Sequence, residues 1–428
     1  MPKYNVQVLN DEILKKLALK NRYNFLNTNL QQILSDDEFA FLKDVEKFCM
    51  KFEKDNNVTH GMDEDVYEWI PKFGDAGLVT RGHKFDMIGM DFGNNFGLTK
   101  EMMRSLAVDM FDPQFNMAMG ASTLAINPIE AHHENIDVRL EALKDMVTGK
   151  APGSILITEP ERGSDATHML TEAVANDDGS FTINGTKIFN TNAPKSKWAV
   201  CYATAEKNNW EQMGQFLIDT SWDGWSCERV GIPWVPKIWI GKEEMKDLRV
   251  PAEYVLGGIG KGREHLFEGL VPERIGIAIV CVSQAWNAIS HGCIYANMRK
   301  QFDKPILTFQ AVGHLLADLW SQVTNMTLAI LCFSREYDKK LEKFEGKIPA
   351  GVNQVMVASA SQMKVQAAAL TERVCYEVAN VMGGAGVCDN TLMHDLLGVS
   401  RIQEVVGGTR QIQQYILSMA MHQMFKML

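Results

Sequence analysis

No Cys-x-x-Cys pair occurs in this sequence. Its eight cysteines, at 49, 201, 227, 281, 293, 332, 375 and 388, stand apart and keep no metal-ligand spacing with histidine. A disulfide framework and a zinc ribbon are both excluded, and free thiols in a reducing cytoplasm are expected. The first residues, MPKYNVQVLNDEILKK, lack an apolar signal core, and no apolar run approaches the roughly 18 residues of a membrane span. A soluble, cytoplasmic chain without membrane insertion follows as the expectation. Basic residues are outnumbered, 43 to 53, for a formal charge of −10. Nothing in that balance offsets the repulsion of a phosphate backbone, so nucleic acid is excluded as a partner. A phosphate-bearing small ligand would need a local basic patch. Internal repeats and low-complexity linkers are also missing.

What remains is an ordinary globular composition, 46% hydrophobic and 22% charged over 428 residues, long enough for two or three cored domains. Ser35-Asp36-Asp37-Glu38 reads as a helix start, a capping residue followed by acids that complement the amide dipole. Phe39, Phe41, Leu42, Val45 and Phe48 continue it at helical spacing, and Leu140 to Val147 repeats the pattern. Between about 154 and 255 the texture changes to short alternating runs, Trp198 to Tyr202, Gly214 to Ile218 and Lys237 to Ile240, which suggest a small barrel or sandwich. From 258 onward long periodic segments return, Leu315 to Glu342 and Asn353 to Met382, as in a four-helix bundle. The expected fold is therefore α+β: a helical domain over 1–153, a middle β domain over 154–257 and a C-terminal four-helix bundle over 258–428.

The most informative stretch is Ile155 to Thr191, ILITEPERGSDATHMLTEAVANDDGSFTINGTKIFNT. Gly163-Ser164-Asp165 offers a loop with free backbone donors. Asn184-Gly185 between SFTI and TKIF predicts a hairpin turn. With Thr158-Glu159-Pro160, Lys187 and Phe189-Asn190-Thr191-Asn192, the stretch resembles the middle-domain signature of the acyl-CoA dehydrogenase family. Leu248-Arg249-Val250-Pro251, Gly258 to Gly262, Glu273-Arg274-Ile275-Gly276-Ile277-Ala278, Arg299 to Phe302, Gln310, Gly383 to Gly386 and Gly408 to Gln413 follow in the family's order. The Gly258 to Gly262 run lacks the strand–G-x-G-x-x-G–helix frame of a dinucleotide fingerprint. His132-His133-Glu134 makes a poor metal site, because adjacent helical side chains diverge; no metal is expected.

The resemblance implies bound FAD, an acyl-CoA substrate, an electron-transferring flavoprotein as acceptor and a homotetramer. It implies that Ile157 and Thr158 line the flavin's pyrimidine side, that Gly163 and Ser164 meet the pyrophosphate, that Phe189 lies against the isoalloxazine and that Thr191 donates to N5. Phe189 stands where tryptophan is more usual. A neighbouring subunit would complete the FAD site with Arg299, Phe302, Gln310, Asn380, Gly384, Thr409 and Gln411; Asp303 replaces a common glycine and Asn380 a common glutamine. Ser164, Arg274, Gly407 and Gly408 are the implied substrate contacts.

The usual base in this family is a glutamate just before Gly-Thr, and here that position is Gly407, with no side chain to accept a proton. Three readings compete, and the second, with Asp91 as the base, is the one favoured. Glu273 matches the position from which the isovaleryl and long-chain branches supply their glutamate, although Glu273-Arg274 also reads as a structural helix start. Alternatively the substrate is already unsaturated, and Asp91, in the Gly- and Asn-rich Phe85 to Leu98 stretch that takes the place of the acyl-pocket loop, removes a γ proton. That combination resembles the cyclohex-1-ene-1-carboxyl-CoA dehydrogenases, which form the cyclohexa-1,5-diene by 1,4-elimination in anaerobic aromatic and alicyclic metabolism; Asp91 could equally be a solvated turn residue. Third, the chain could be a flavin- and CoA-binding homologue without catalysis.

Overall fold

The computed structural model describes residues 7–79, 97–132, 134–346 and 348–426. Asp91, and with it residues 85–96 of the stretch expected to border the acyl pocket, lies outside the described residues. The chain divides into two compact units. One comprises Met1–Glu64, Gly97–Asn116 and Arg274–Leu428; the other comprises Asp65–Phe96 and Met117–Glu273.

In the first unit, α1 (Asp11–Leu17), α2 (Leu19–Leu30) and α3 (Asp36–Asp55) precede α5 (Leu98–Phe111). The helix start expected at Ser35 is present as a reciprocal cap: Ser35 Oγ accepts from Glu38 N–H while the Glu38 carboxylate accepts from Ser35 N–H. Two backbone donors without intrahelical partners are thereby satisfied at once. Leu42, Val45, Cys49 and Phe52 line the buried face of α3, and Phe52 meets Phe111 edge to face. Helix α5 has no capping side chain of its own; Asp338 supplies one, its two oxygens accepting from Leu98 N–H at 2.7 Å and Thr99 N–H at 2.9 Å.

Asp338 belongs to α9 (Gln310–Lys343), which with α10 (Ala350–Met382), α11 (Met393–Gln403) and α12 (Arg410–Lys426) fills the C-terminal part of this unit. By length and composition α9 is apolar enough to span a membrane. It packs instead along α5 and α10, burying Leu316, Leu319, Val323 and Ile330.

The second unit carries α4 (Ile70–Asp75), α6 (Pro113–His132), which enters from the first unit, α7 (Ile136–Val147) and an eight-stranded sheet. Its strands are β1 (Gly153–Leu156), β2 (Glu172–Ala175), β3 (Phe181–Thr191), β4 (Trp198–Thr204), β5 (Met213–Asp219), β6 (Trp225–Val230), β7 (Ile240–Val250) and β8 (Val255–Leu256). The sheet runs β6-β7-β3-β2-β4-β5-β8, with β1 on β4. β2 and β4 meet at a single parallel pair, Glu172 with Thr204. On either side of that link the two halves share one core, in which Ile183, Met245 and Leu248 meet Cys201, Phe216 and Ile218. The other face of β4 and β5, with Trp198, Val200 and Leu217, is covered by Ile126, Ile129, Leu143 and Met146 of α6 and α7. Buried on both faces, β4 reads WAVCYAT without alternation.

The hairpin expected at Asn184-Gly185 is not there. Both residues lie inside β3, where the register against β7 shifts between Ile183 and Gly185; the chain reverses earlier, at Asn176 to Ser180. Asn184 instead bonds Asp247 across the strands, and a Cβ at Gly185 would stand 2.5 Å from Thr171 Oγ1. The glycine is there for close approach, not for a turn.

The remaining helix, α8 (Gly262–Met298), follows β8 and the glycine run Gly257 to Gly262. That run does lie between a strand and a helix, but β8 pairs antiparallel with β5, so the parallel frame of a dinucleotide fold is lacking. Glu273-Arg274 is not a helix start either: α8 has already run from Gly262 when it reaches them, just past Pro272. All eight cysteines are free.

Candidate active site

In the second unit, the flavin-signature residues are brought together by a buried ion pair. Glu159 follows β1 in a turn closed by backbone bonds with Arg162. Its carboxylate accepts from Leu170 N–H at 2.6 Å and Thr171 N–H at 2.8 Å, and lies 2.9 Å from Lys187 Nζ. Lys187, from β3, also donates to Ile157 O at 3.0 Å. Burial would raise the Glu159 carboxyl, but Lys187 and the amide donors outweigh it and hold it below the usual range. The acid of Thr158-Glu159-Pro160 and the lysine of Asn184-Gly185-x-Lys187 are thus two halves of one clamp. It fixes Ile157 and Thr158 beside β3, where Thr158 O accepts from Ile188 N–H at 2.9 Å.

The loop after the clamp carries Gly163 and Ser164, both exposed. Arg162 braces it, donating from Nε to His168 O at 3.0 Å. A Cβ at Gly163 would meet nothing within 4 Å, so this glycine leaves its backbone open to a ligand without being required by packing.

Further along β3 the register shifts again between Ile188 and Asn190. At this bulge Phe189 takes a φ of 64° and is 58% exposed. A bulky residue in the left-handed region is costly, and such strain concentrates at ligand sites. Asn192 ends the segment at φ 70°, fully buried. Its Oδ1 accepts from Tyr67 O–H at 2.7 Å, and its Nδ2 donates to Ala118 O at 2.9 Å and Ser122 Oγ at 3.2 Å. Ser154 Oγ donates to Thr191 O at 2.9 Å. Thr191 is therefore held from both sides. Sequence reading named Asn192 only as part of a string and missed Tyr67; neither residue carries a signal of its own before the contact is seen.

Glu273 lies in this same unit and is half-buried. Burial, with the Glu273 charge adding to it, keeps the Tyr202 hydroxyl protonated far into the alkaline range. His132 stacks on His265, ring centroids 3.6 Å apart, and His265 Nδ1 lies 2.8 Å from Gln215 Oε1. Among the described residues no group of three His, Cys, Asp or Glu gathers as a metal site.

In the first unit, β9 (Lys300–Gln301) and β10 (Lys304–Pro305) form a short hairpin through Phe302 (φ 51°) and Asp303 (φ 63°). Two left-handed residues in succession define the tight turn that matches strand twist. Aspartate is among the few residues that tolerate the conformation, which explains how Asp303 replaces a glycine. Phe302 is 88% exposed, and Arg299, Gln310 and Asn380 are exposed as well. Gly383, at φ 60°, and Gly384 follow α10 with open space where a Cβ would be, while a Cβ at Gly386 would stand 2.4 Å from Ala379 O. Arg274 is buried against α10, donating from Nη1 to Ser361 Oγ at 3.1 Å.

The turn where the family's base is expected has its own supports. Gly407 and Gly408 take φ of 63° and 94°. Gln413 Nε2 donates to Gly407 O at 2.8 Å and Gly408 O at 3.1 Å, and the buried Lys364 ammonium donates to Gly408 O at 2.9 Å. Thr409 precedes α12 and its carbonyl accepts from Gln413 N–H; Gln411, in the first turn, is exposed. Lys364 and Gln413 were not legible as site residues, because they act by holding backbone carbonyls.

Two family models match: acyl-CoA dehydrogenase, middle domain, over residues 154–234, and acyl-CoA dehydrogenase, C-terminal domain, over residues 260–422. The chain belongs to the acyl-CoA dehydrogenase family. A subunit of the caffeyl-CoA reductase–Etf complex of Acetobacterium woodii is 28% identical over 283 residues, covering 64% of this chain and 70% of that protein. The mitochondrial isovaleryl-CoA dehydrogenase of Oryza sativa subsp. japonica is 25% identical over 409 residues, covering 92% and 93%. The structure of butyryl-CoA dehydrogenase from Megasphaera elsdenii superposes with a TM-score of 0.80 at 24% identity, covering 91% of this chain and 98% of that one, a likeness of fold. As an acyl-CoA dehydrogenase the chain has the expected order of helical N-terminal part, middle sheet and helical C-terminal part. It is an oxidoreductase acting on a CH–CH group and FAD-dependent, which sets aside the reading as a non-catalytic binder.

The residues present fit FAD. Phe189 and Phe302 are large aromatic side chains presented outward from positive-φ positions, and Gly163, Gly383 and Gly384 leave backbone donors with no Cβ neighbour to obstruct them. Exposed aromatics suit a flat ring system and open glycine backbone suits a pyrophosphate. By the resemblance, Phe189, Thr191, Ile157, Thr158, Gly163 and Ser164 would hold one part of the cofactor, and Arg299, Phe302, Gln310, Asn380, Gly384, Thr409 and Gln411 of a neighbouring subunit would hold the other.

Proposed function

We propose that this chain oxidises the acyl group of an acyl-CoA by removing the proton α to the thioester with Glu273. Bound FAD supplies the hydride acceptor. The observation that carries the reading is Gly407: the position of the usual base holds a glycine in a left-handed turn, so the proton needs another acceptor. Glu273 is a half-buried carboxylate in the unit that also carries Phe189 and Thr191. A carboxylate partly withdrawn from water is suited to general base work. The isovaleryl-CoA dehydrogenase relative, aligned over most of the chain, belongs to the branch whose base the resemblance puts at Glu273. A branched acyl group is the substrate this reading favours.

A second reading keeps Gly407 as its support and assigns the proton transfer to Asp91. Here the substrate is cyclohex-1-ene-1-carboxyl-CoA, oxidised by 1,4-elimination to the cyclic diene. Without a carboxylate at 407 there is more room for a ring, and no second base competes for the proton.

Electron-transferring flavoprotein is the proposed acceptor, supported by the name of the Acetobacterium relative. The homotetramer and the cytoplasmic location carry over as proposals from the resemblance and from the free cysteines.

Anaerobic bleaching of the flavin separates the two substrate readings. Glu273→Gln with FAD still bound should abolish reduction by a saturated branched acyl-CoA. Retention of bleaching within a few-fold rejects Glu273 as the base. If Asp91→Asn instead abolishes bleaching by cyclohexenecarboxyl-CoA while Glu273→Gln leaves it intact, the second reading replaces the first.

A further inference from the structure

Beneath the Phe189 bulge, the interior of the sheet contains a polar device in otherwise apolar surroundings. Asn190 points inward and is buried, and its Nδ2 donates to Glu243 Oε2. Glu243, on β7, is fully buried. Its other oxygen, Oε1, accepts from Cys227 Sγ of β6 at 3.6 Å. A Cβ at Gly241 would stand 1.9 Å from Glu243 Oε1, so β7 carries a glycine where the carboxyl folds back over the strand. The apolar core of the sheet includes Ala193, Cys201 and Met245, with Cys227 packed against it.

A carboxyl and an amide placed in such a core cost stability unless each satisfies the other. Their pairing fixes the position of Asn190, and Asn190 lies between Phe189 and Thr191. We infer that Glu243, acting through Asn190, is a positioning residue for the flavin-facing pair Phe189 and Thr191. The inference rests on the assignment of those two residues to the flavin.

Ionisation gives the device a readout. Lys187 of β3 acts on Glu243, but its ammonium is paired with Glu159, 2.9 Å away. The remaining titratable neighbours are Cys227 of β6, beside Glu228, and Cys201 of β4, both thiols pushed up to about 12 by burial. Burial, only partly opposed by Asn190, Cys227 and Lys187, pushes the Glu243 carboxyl up to about 7. The hydrogen bond to Asn190 is charge-assisted on one side of that pH and neutral on the other.

The test uses the FAD-loaded protein and reads the visible circular dichroism of the flavin across neutral pH, together with FAD affinity. In the wild type the flavin signal should titrate near neutrality; in Glu243→Gln, FAD should stay bound and the titration should vanish. Glu243→Leu leaves the Asn190 amide without its acceptor and should weaken FAD binding about tenfold. If that variant does not fold, N190L/E243L restores an apolar core and should show the same weakening. A titration that survives Glu243→Gln, or wild-type FAD affinity in the folded leucine variant, overturns the inference. Phe189→Ala separates the two possible failures. Unchanged affinity there rejects the flavin assignment and the inference with it, whereas weakened affinity alongside wild-type behaviour of the Glu243 variants rejects the inference alone.

Discussion

Lys187 and Glu159 form a fully buried ion pair, Nζ to Oε1 2.9 Å, between the middle of β3 and the turn after β1. Removing one member leaves the other charged and buried without its partner. Glu159→Gln is therefore expected to lower stability by about 3 kcal/mol, as for other broken buried pairs. Replacing both, E159Q/K187M, should recover part of the loss. Chemical denaturation of the apo-protein checks both expectations. Because the Glu159 carboxyl is held low, its contribution is present above the ordinary glutamate pKa and is lost as pH falls through the depressed value.

Phe189 combines a left-handed backbone with a side chain that is mostly exposed. Glycine adopts that conformation without penalty. Phe189→Gly should leave the melting temperature of the apo-protein unchanged or raise it, while FAD affinity falls by about tenfold from lost stacking. A stability loss of more than about 1 kcal/mol would show that the ring packs for the fold and not for the cofactor.

Gly407 is the opposite case. Its φ of 63° penalises any side chain, so Gly407→Ala should cost about 1 kcal/mol, measurable as a lower denaturation midpoint. Gly407→Glu meets the same penalty. In the Glu273→Gln background, supplying a carboxylate at 407 should therefore restore α-proton abstraction only in part, as read by flavin bleaching with a saturated acyl-CoA.

The raised carboxyl of Glu243 has a stability consequence of its own. A carboxyl that is harder to ionise in the folded state contributes most below its unfolded pKa of about 4.5, and that contribution is lost as pH rises toward 7. Glu243→Gln, which cannot ionise, should match wild type near pH 4.5 and exceed it by up to about 3 kcal/mol above pH 7. Parallel denaturation curves of the two proteins at the two pH values test this.

The sequence made the family legible because its signature residues are clamps as well as contacts. Glu159, Lys187 and Asn192 are required by buried charge and hydrogen-bond geometry, so they recur as a string. The helix start at Ser35 was equally readable, since capping is local chemistry. Asn184-Gly185 misled because a glycine needed for close approach to Thr171 has the same spelling as a glycine needed for a turn. Glu273 looked like a helix start because the resemblance of Glu273-Arg274 and the residues after it implied one, yet the helix had already begun at Gly262 and carries Pro272 inside it. Lys364 and the Asn190–Glu243 pair act across segments far apart in the chain, Gln413 reaches back only to backbone carbonyls of the preceding turn, and no periodicity announces any of them.

The single Glu172–Thr204 pair between β2 and β4 gives the sheet a seam. Amides in the middle of β3 and β7 are protected by a long ladder, and those of β4 and β5 by another. Among the described residues, β2 and β4 pair only in the Thr171 to Thr204 neighbourhood. On gradual warming in heavy water, the two ladders should give up their amide hydrogens as separate cohorts, parting first along that line.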